Sequence, residues 1–301
     1  MNFVRTPLER VNIKVVQEPL DGLIRNSESD LERYLNQVSL TNDKNEIIRI
    51  TLLLIALRFA INSYRAVCFL LTDQEGHPKR KDEFVIVVPP IIRQLFDLWC
   101  SFIYILDDFA NRVGEFQNSA WLGASEHMEK TKQRYGDLLD SPDMQTWFEN
   151  MKDFVLTLEE GVPEDLVANP ENIPYWPTPA KLWKKETKSQ DFLKYIHDWP
   201  YDDISEEAHL QPGGLFMAGS LLLKDRATEE IRRQIETYTF HEYKARRFCL
   251  TIIPLLGIIS EIEMFGNFNN KQQAVKVWSL IAAFSPDAKE VYEKRYQSAF
   301  E

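Results

Sequence analysis

The stretch ITLLLIALRFAINSYRAVCFLLT, Ile50–Thr72, decides the fold class. Its apolar residues are almost continuous, which predicts a helix enclosed by other helices. Arg58, Asn62 and Arg65 disfavour a membrane span in this stretch. A second apolar run is uncharged only over residues 248–260, which is short of the roughly 20 residues that a span needs. Both stretches therefore predict buried core helices, and no membrane association is expected.

The composition extends this expectation to the whole chain. The 301 residues are 44% hydrophobic, and the 11 glycines form no Gly-rich run. A sizeable core is therefore expected, while phosphate loops and an all-β fold with many tight turns are disfavoured. No alternating strand pattern of any length occurs. The sequence predicts an all-α fold, with a single helical-bundle domain over residues 1–301 made of about eight to ten helices.

Two segments differ from the rest. Residues 1–42 form a mixed N-terminal segment with one helical phrase, SDLERYLNQV, which Ser29 or Asp30 could cap. Residues 161–180 contain five prolines together with Tyr175 and Trp176, which predicts an extended connection, too aromatic for a plain disordered linker. This connection is expected either to pack on the helices or to cover a cleft.

The net charge and the cysteine content limit the expected cellular location and the expected partners. The formal charge of −11 disfavours non-specific binding to nucleic acid or to an anionic membrane. The three cysteines, Cys68, Cys100 and Cys249, lie far apart in apolar runs and form no CxxC pair. Buried thiols in a reducing cytoplasm are expected rather than disulfides or a zinc site. Glu9 and Pro7 interrupt the N-terminus where a signal peptide would be apolar, so no export is expected.

The stretch VIVVPPIIRQLFDLWCSFIYILDDFANRVGEF, residues 85–116, predicts one long helix that begins near Pro89 and Pro90. On it, Asp107, Asn111 and Glu115 are spaced i, i+4, i+8, so their oxygens could share a Mg²⁺ ion. The alternative is a solvated helix face without metal. The phrase DDFANRVGE resembles the metal-binding motif of class I terpenoid synthases, a likeness that implies a diphosphate substrate. Those enzymes carry two facing motifs, and this chain has one.

A second polar set lies in WPYDDISEEAHLQPGG. Tyr201, Ser205 and His209 again follow the i, i+4, i+8 spacing, and Asp202 or Asp203 could cap their helix. Ser205 and His209 could form a nucleophile and its base, although no oxyanion hole or nucleophile elbow is apparent. The alternative is a structural hydrogen-bond network.

Arg93 and Asp97, on the long helix, can join that network and pair with each other at i, i+4. With Tyr201, Ser205 and His209 they make up the candidate catalytic residues.

The phrases IIRQLFDLWCSFIYILDD and YDDISEEAHL together resemble a family of bacterial all-helical proteins of unknown function. That family has an Arg-xxx-Glu helix and a downstream Tyr-xxx-Ser-xxx-His helix, and the likeness covers roughly residues 45–265. Asp97 stands where the family has Glu, which shortens its reach. The resemblance implies that the five candidate residues converge, and it implies no established activity.

Helical nucleases of the HEPN group need an Arg followed by four to six residues and then His. No Arg in this sequence has a His at that distance. The nearest case is Arg233 and His241, which are separated by seven residues. We therefore expect a cytoplasmic protein that binds a protein partner or a small ligand through Tyr175 and Trp176. A role in a bacterial defence or toxin system fits this expectation. The alternatives are a Mg²⁺-dependent enzyme with a diphosphate-type substrate and a HEPN-like nuclease that lacks the usual motif; no other cofactor is expected.

Overall fold

The fold is all-helical, as the sequence predicts. The computed structural model describes residues 13–41, 43–71, 86–138, 141–209, 212, 226–234 and 241–301. Within these ranges there is no strand, and nine of the helices are seven residues or longer. Gly76 and Pro78 predict a turn after Leu71, and Gly213 and Gly214 predict the end of a helix. Both positions lie outside the described residues.

The chain forms two compact units. Unit 1 combines Met1–Ile103 with Leu182–Glu301, and unit 2 is Tyr104–Lys181. The single domain over residues 1–301 stays a prediction.

Unit 1 contains most of the long helices. They are α1 (Ile13–Ser39), α2 (Lys44–Leu71), the first part of α3 (Val88–Asp107), α8 (Gln190–Ile196), α9 (Asp202–Ala208), α10 (Glu229–Gln234), α11 (His241–Gly266), α12 (Lys271–Ala282), α13 (Pro286–Val291) and α14 (Gln297–Phe300). Unit 2 contains the end of α3, then α4 (Phe109–Tyr135), α5 (Pro142–Glu159), α6 (Glu164–Ala168) and the beginning of α7 (Pro179–Leu182).

The centre of unit 1 is α11, from which nearly every residue between Ala245 and Glu263 is buried. Among the residues that the structure describes, two helices are long and apolar enough to cross a membrane, Glu46–Leu71 and Lys244–Gly266. The most apolar window of the second is 89% buried within the structure, as the core-helix prediction expects, whereas that of the first is 50% buried. The absence of a membrane partner stays a prediction.

A polar hub fixes α3, α11 and the C-terminal helices in this core. The indole Nε1 of Trp99 donates to the hydroxyl of Tyr296 at 3.1 Å, and that hydroxyl donates to Glu261 at 2.9 Å. Arg295 forms two further bonds to Glu261, at 2.9 and 3.0 Å. Because every one of these buried groups has a partner, the hub compensates for the desolvation of its charges.

Unit 2 is built on α4 and α5 around a small apolar core. Trp121 of α4 packs there and donates from Nε1 to Glu159 at 3.2 Å. Ile173, from the proline-rich segment 161–180, is buried in the same core. This segment therefore packs on the helices of its own unit, which was one of the two expected arrangements.

Several expected helix boundaries were wrong. The N-terminal helical phrase is part of α1, which begins at Ile13, so Ser29 and Asp30 lie inside a helix and cap nothing. The predicted long helix over residues 89–116 is interrupted at Asp108, whose φ of −149° and ψ of 65° are not helical. Segment 161–180 is not simply extended, since it contains α6 and a 3₁₀ turn at Pro170–Asn172. A serine followed by proline predicts a helix start at Ser141 and at Ser285. Both starts are confirmed, and the Ser285 hydroxyl accepts from the Ala288 N–H at 3.2 Å.

Residues 190–208 form one helical run. Between α8 and α9 the helix widens into a π-helical turn, His197–Tyr201, which contains Pro200. Proline has no N–H to donate, and a widened turn accommodates its ring without ending the helix. Asp202 and Asp203 therefore continue a helix rather than begin one, so the cap expected at these residues was wrong.

Candidate functional site

The structure brings four of the five candidate catalytic residues together in unit 1. Arg93 of α3 hydrogen-bonds through Nη1 to Nε2 of His209, which follows α9. Its Nη2 donates to the hydroxyl of Tyr201 at 3.2 Å, with the guanidinium carbon 5.6 Å from the Tyr201 ring centroid. The Tyr201 hydroxyl is also hydrogen-bonded to Asp97, one turn beyond Arg93. We call these four residues the Arg93 cluster.

The local helices explain this geometry. The i, i+4 spacing of Arg93 and Asp97 places both side chains on one face of α3. Tyr201 is the last residue of the π-helical turn, and His209 follows the last turn of α9. The cluster runs from a buried end at Tyr201 to an exposed end at His209.

Burial dominates the electrostatics of the cluster. Loss of hydration raises the pKa of the Asp97 carboxyl above its ordinary value, against the opposing effects of the Tyr201 hydrogen bond and the positive charge of Arg93. Burial also raises the pKa of the Tyr201 phenol, although the Arg93 hydrogen bond acts in the opposite direction. The phenol therefore stays protonated and can donate to Asp97.

Two polar atoms in the Arg93 cluster are buried without a hydrogen-bond partner in the part of the chain that the structure describes. One is a donor, Nε of Arg93, and the other is an acceptor, Oδ1 of Asp97. A buried polar group left unpaired costs about 1–3 kcal/mol. The cluster therefore satisfies its own hydrogen-bonding capacity only in part.

Ser205 does not join the cluster through its side chain. The bond between the two residues is a helical backbone bond, in which the His209 N–H donates to the Ser205 carbonyl at 3.1 Å. Within the described residues the Ser205 hydroxyl makes no hydrogen bond, while His209 Nε2 is engaged by Arg93. The suggested pair of nucleophile and base is therefore not formed.

Neighbouring aromatic residues that the sequence reasoning missed complete the surroundings. The His197 ring stacks on the Tyr201 ring, with centroids 5.8 Å apart and an angle of 16° between the planes, and Trp183 lies 5.5 Å from His197. His197 precedes Tyr201 by four residues, a spacing that could have indicated the contact. Behind α9, the buried Arg247 of α11 forms an ion pair with Glu207.

The predicted Mg²⁺ ligands do not have the expected helical arrangement. Asp107 is the last residue of α3, whereas Asn111 and Glu115 lie on α4, so the three residues do not share one continuous helix. The Asn111 amide donates to the Asp108 carboxylate at 3.0 and 3.1 Å. In the described part of the chain, no group of three or more His, Cys, Asp or Glu side chains could hold a metal ion. Mg²⁺ binding at this position stays a prediction without the spacing that suggested it.

Tyr175 and Trp176, the predicted binding surface, have different environments in unit 2. Tyr175 is 66% exposed, and its hydroxyl bonds to Glu126. Trp176 packs edge-on against Phe116 and Tyr104, with centroid distances of 5.1 and 5.5 Å, and its backbone N–H donates to the Ser119 hydroxyl at 2.8 Å. Trp176 therefore holds the segment in place, and Tyr175 is the residue of the pair that a partner could reach.

Comparison of the chain with protein families, with characterised proteins and with solved structures finds no match. The fold and the Arg93 cluster define the chain as an all-helical protein with a partly satisfied polar cluster in unit 1. The resemblances noted for the sequence stay predictions.

Proposed function

We propose that the chain binds a small polar ligand at the Arg93 cluster. The observation that carries this proposal is a pair of buried atoms one helical turn apart on α3, Arg93 Nε and Asp97 Oδ1, to which no described residue offers a hydrogen bond. Convergent polar groups with unused hydrogen-bonding capacity are typical of ligand sites. A ligand that satisfies both groups removes their desolvation cost.

The two atoms specify the chemistry of the ligand. Arg93 Nε is a donor and needs an acceptor, and Asp97 Oδ1 needs a donor while the carboxyl is ionised. Carboxamides, carboxylic acids, ureas and the edges of nucleobases offer an acceptor beside a donor. Ligands of this class satisfy both groups at once, and the burial of the cluster strengthens each bond.

Binding is favoured over nucleophilic catalysis because of how His209 is engaged. Arginine has no acceptor, so the bond from Arg93 uses the lone pair of His209 Nε2. A base would need that lone pair for the proton of Ser205. The divalent-metal enzyme and the HEPN-like nuclease remain alternatives without such support. The cytoplasmic location, a protein partner at Tyr175 and a role in a defence or toxin system also remain proposals without a structural observation behind them.

The test is a thermal-shift panel of carboxamides, carboxylic acids, ureas and nucleobases with the wild-type chain and the Arg93→Lys variant. A ligand that binds only the folded state raises the melting temperature. Lysine keeps the positive charge but lacks the Nε–H and the planar fork. We expect one class to raise the melting temperature of the wild type, and the rise to be lost in the variant.

Arg33→Lys is the matched control, because Arg33 is exposed and pairs with Asp30 at 3.2 Å away from the cluster. It should respond to the panel as the wild type does. A panel in which no class shifts the wild type, or in which Arg93→Lys responds equally, contradicts the proposal.

A further inference from the structure

A second candidate site lies between α1 and α2 in unit 1, formed by residues that take no part in the Arg93 cluster. It is a cavity of about 440 Å³, a size suited to a small molecule. Its lining is Gln17, Asp21, Ile24, Arg25, Tyr64, Arg65, Cys68 and Phe69.

The charges around this cavity are not matched within the described chain. Asp21, Arg25 and Arg65 form no ion pair or hydrogen bond with any residue in the part that the structure describes. Arg58, two turns before Arg65 on α2, instead bonds to both Glu28 and Glu32 of α1. The same pair of helices thus neutralises one arginine outside the cavity and leaves two at its wall, for a net charge of +1 there.

The remaining lining residues include one aliphatic and two aromatic side chains. Ile24 and Tyr64 are buried beneath it, and Phe69 is 41% exposed at its side. Cys68 also faces this space, where burial raises the pKa of its thiol to about 11. A neutral thiol is a poor nucleophile, so the site suits reversible binding rather than covalent chemistry.

We propose that this cavity binds a small organic anion, in which a carboxylate or phosphate group is joined to an apolar body. Arg25 and Arg65 hold the anionic group, since guanidinium groups match carboxylate and phosphate geometry. Ile24, Tyr64 and Phe69 contact the apolar body. Asp21 accepts from any N–H or O–H that the ligand presents.

The experiment uses three probes with the same ring, namely 3-phenylpropanoate, phenyl phosphate and the neutral 3-phenylpropanol, on the full-length chain. One readout is the melting temperature at millimolar probe. The other is the rate at which a maleimide labels Cys68, identified by peptide mass spectrometry, because Cys100 and Cys249 are buried and Cys68 is partly accessible. We expect at least one anionic probe to raise the melting temperature and slow the labelling several-fold, and the neutral alcohol to do neither.

Arg25→Gln and Arg65→Gln should each reduce both effects of the anionic probe at least threefold. Arg58→Gln, the control, removes an arginine from the same helix pair outside the cavity and should leave both effects in place. A carboxylate-only or phosphate-only response identifies the anionic group. Protection by the alcohol as strong as by the anions, equal protection in Arg65→Gln, or no protection by any probe overturns the proposal.

Discussion

Arg93 donates to the Nε2 atom of His209, a residue 116 positions further along the chain. Since arginine cannot accept a hydrogen bond, the imidazole must be the acceptor, so it is neutral and carries its proton on Nδ1. This one bond therefore fixes the tautomer of His209 and joins α3 to the end of α9.

The tautomer can be observed directly. In ¹⁵N NMR spectra of histidine-labelled protein at neutral pH, His209 should show an unprotonated Nε2 and a protonated Nδ1. Arg93→Gln removes the charged donor, so the His209 signals should move toward the tautomer mixture of a free imidazole. Predominant protonation at Nε2 in the wild type would contradict the bond.

Asp97 makes the stability depend on pH in a defined direction. Because burial raises its pKa, the folded chain holds this proton more tightly than the unfolded chain does, whose Asp pKa is about 3.9. The stability that protonation contributes is present below that unfolded value and is lost as the pH rises through the folded value. Asp97→Asn should therefore gain stability relative to the wild type as the pH rises from acid to neutral.

Urea unfolding across this range measures the difference in unfolding free energy between the two proteins. Ser205→Ala, which removes a neighbouring hydroxyl and no titratable group, should differ from the wild type by a constant amount. A difference for Asp97→Asn that stays constant or changes in the opposite direction would show that burial does not control the carboxyl.

The Tyr296 hydroxyl should contribute strongly to the stability of unit 1. Tyr296→Phe leaves the buried Trp99 N–H without its acceptor and removes one donor from Glu261. The expected loss is about 1–3 kcal/mol of unfolding free energy, measured by urea denaturation. Tyr292→Phe is the control, because its hydroxyl makes no hydrogen bond in the described part of the chain and its loss should cost less than about 0.5 kcal/mol. Equal effects of the two changes would show that the Tyr296 hydrogen bonds do not contribute strongly to the stability of unit 1.

Two glycine-to-alanine changes should have opposite signs. A Cβ at Gly257 of α11 would lie 2.3 Å from the Trp99 ring, so Gly257→Ala should destabilise the chain by about 1–3 kcal/mol or more through overpacking. A Cβ at Gly123 of α4 meets nothing within 4 Å. Gly123→Ala should therefore stabilise by about 0.5–1 kcal/mol, because alanine loses less entropy in a helix. Thermal unfolding of the two variants checks the contrast, which a tolerated Gly257→Ala would refute.

The sequence predicted the helices well where long, nearly continuous apolar runs determine them, as in α2 and α11. The break between α3 and α4 could not be predicted, because it depends on contacts beyond the local pattern. At the break the Asp108 N–H bonds to the Ile105 carbonyl at 3.2 Å rather than to that of Tyr104. Arg112 then donates to the Tyr104 carbonyl at 2.6 Å and covers its ring. A side chain eight residues further along the chain thus replaces the missing helical bond. No spacing rule indicates this replacement.

The site could be predicted only in part, for a similar reason. The i, i+4 spacing indicated the Arg93–Asp97 face of α3, and the same rule applied to Ser205 and His209 suggested a pair that the fold does not form. Which side chain His209 meets depends on how α3 packs beside α9, and on the π-helical turn that sets the rotation of Tyr201. Neither feature has a signal in the local sequence beyond Pro200.

The most direct test of the ligand site is the NMR signal of the Arg93 Nε–H group, assigned by its absence in Arg93→Lys. We predict that in the free protein this proton exchanges with water faster than one held in a hydrogen bond. We also predict that a ligand of the proposed class shifts its signal and slows its exchange. A signal that already exchanges slowly without ligand, and that no member of the panel moves, would mean that the Arg93 cluster is a satisfied structural network.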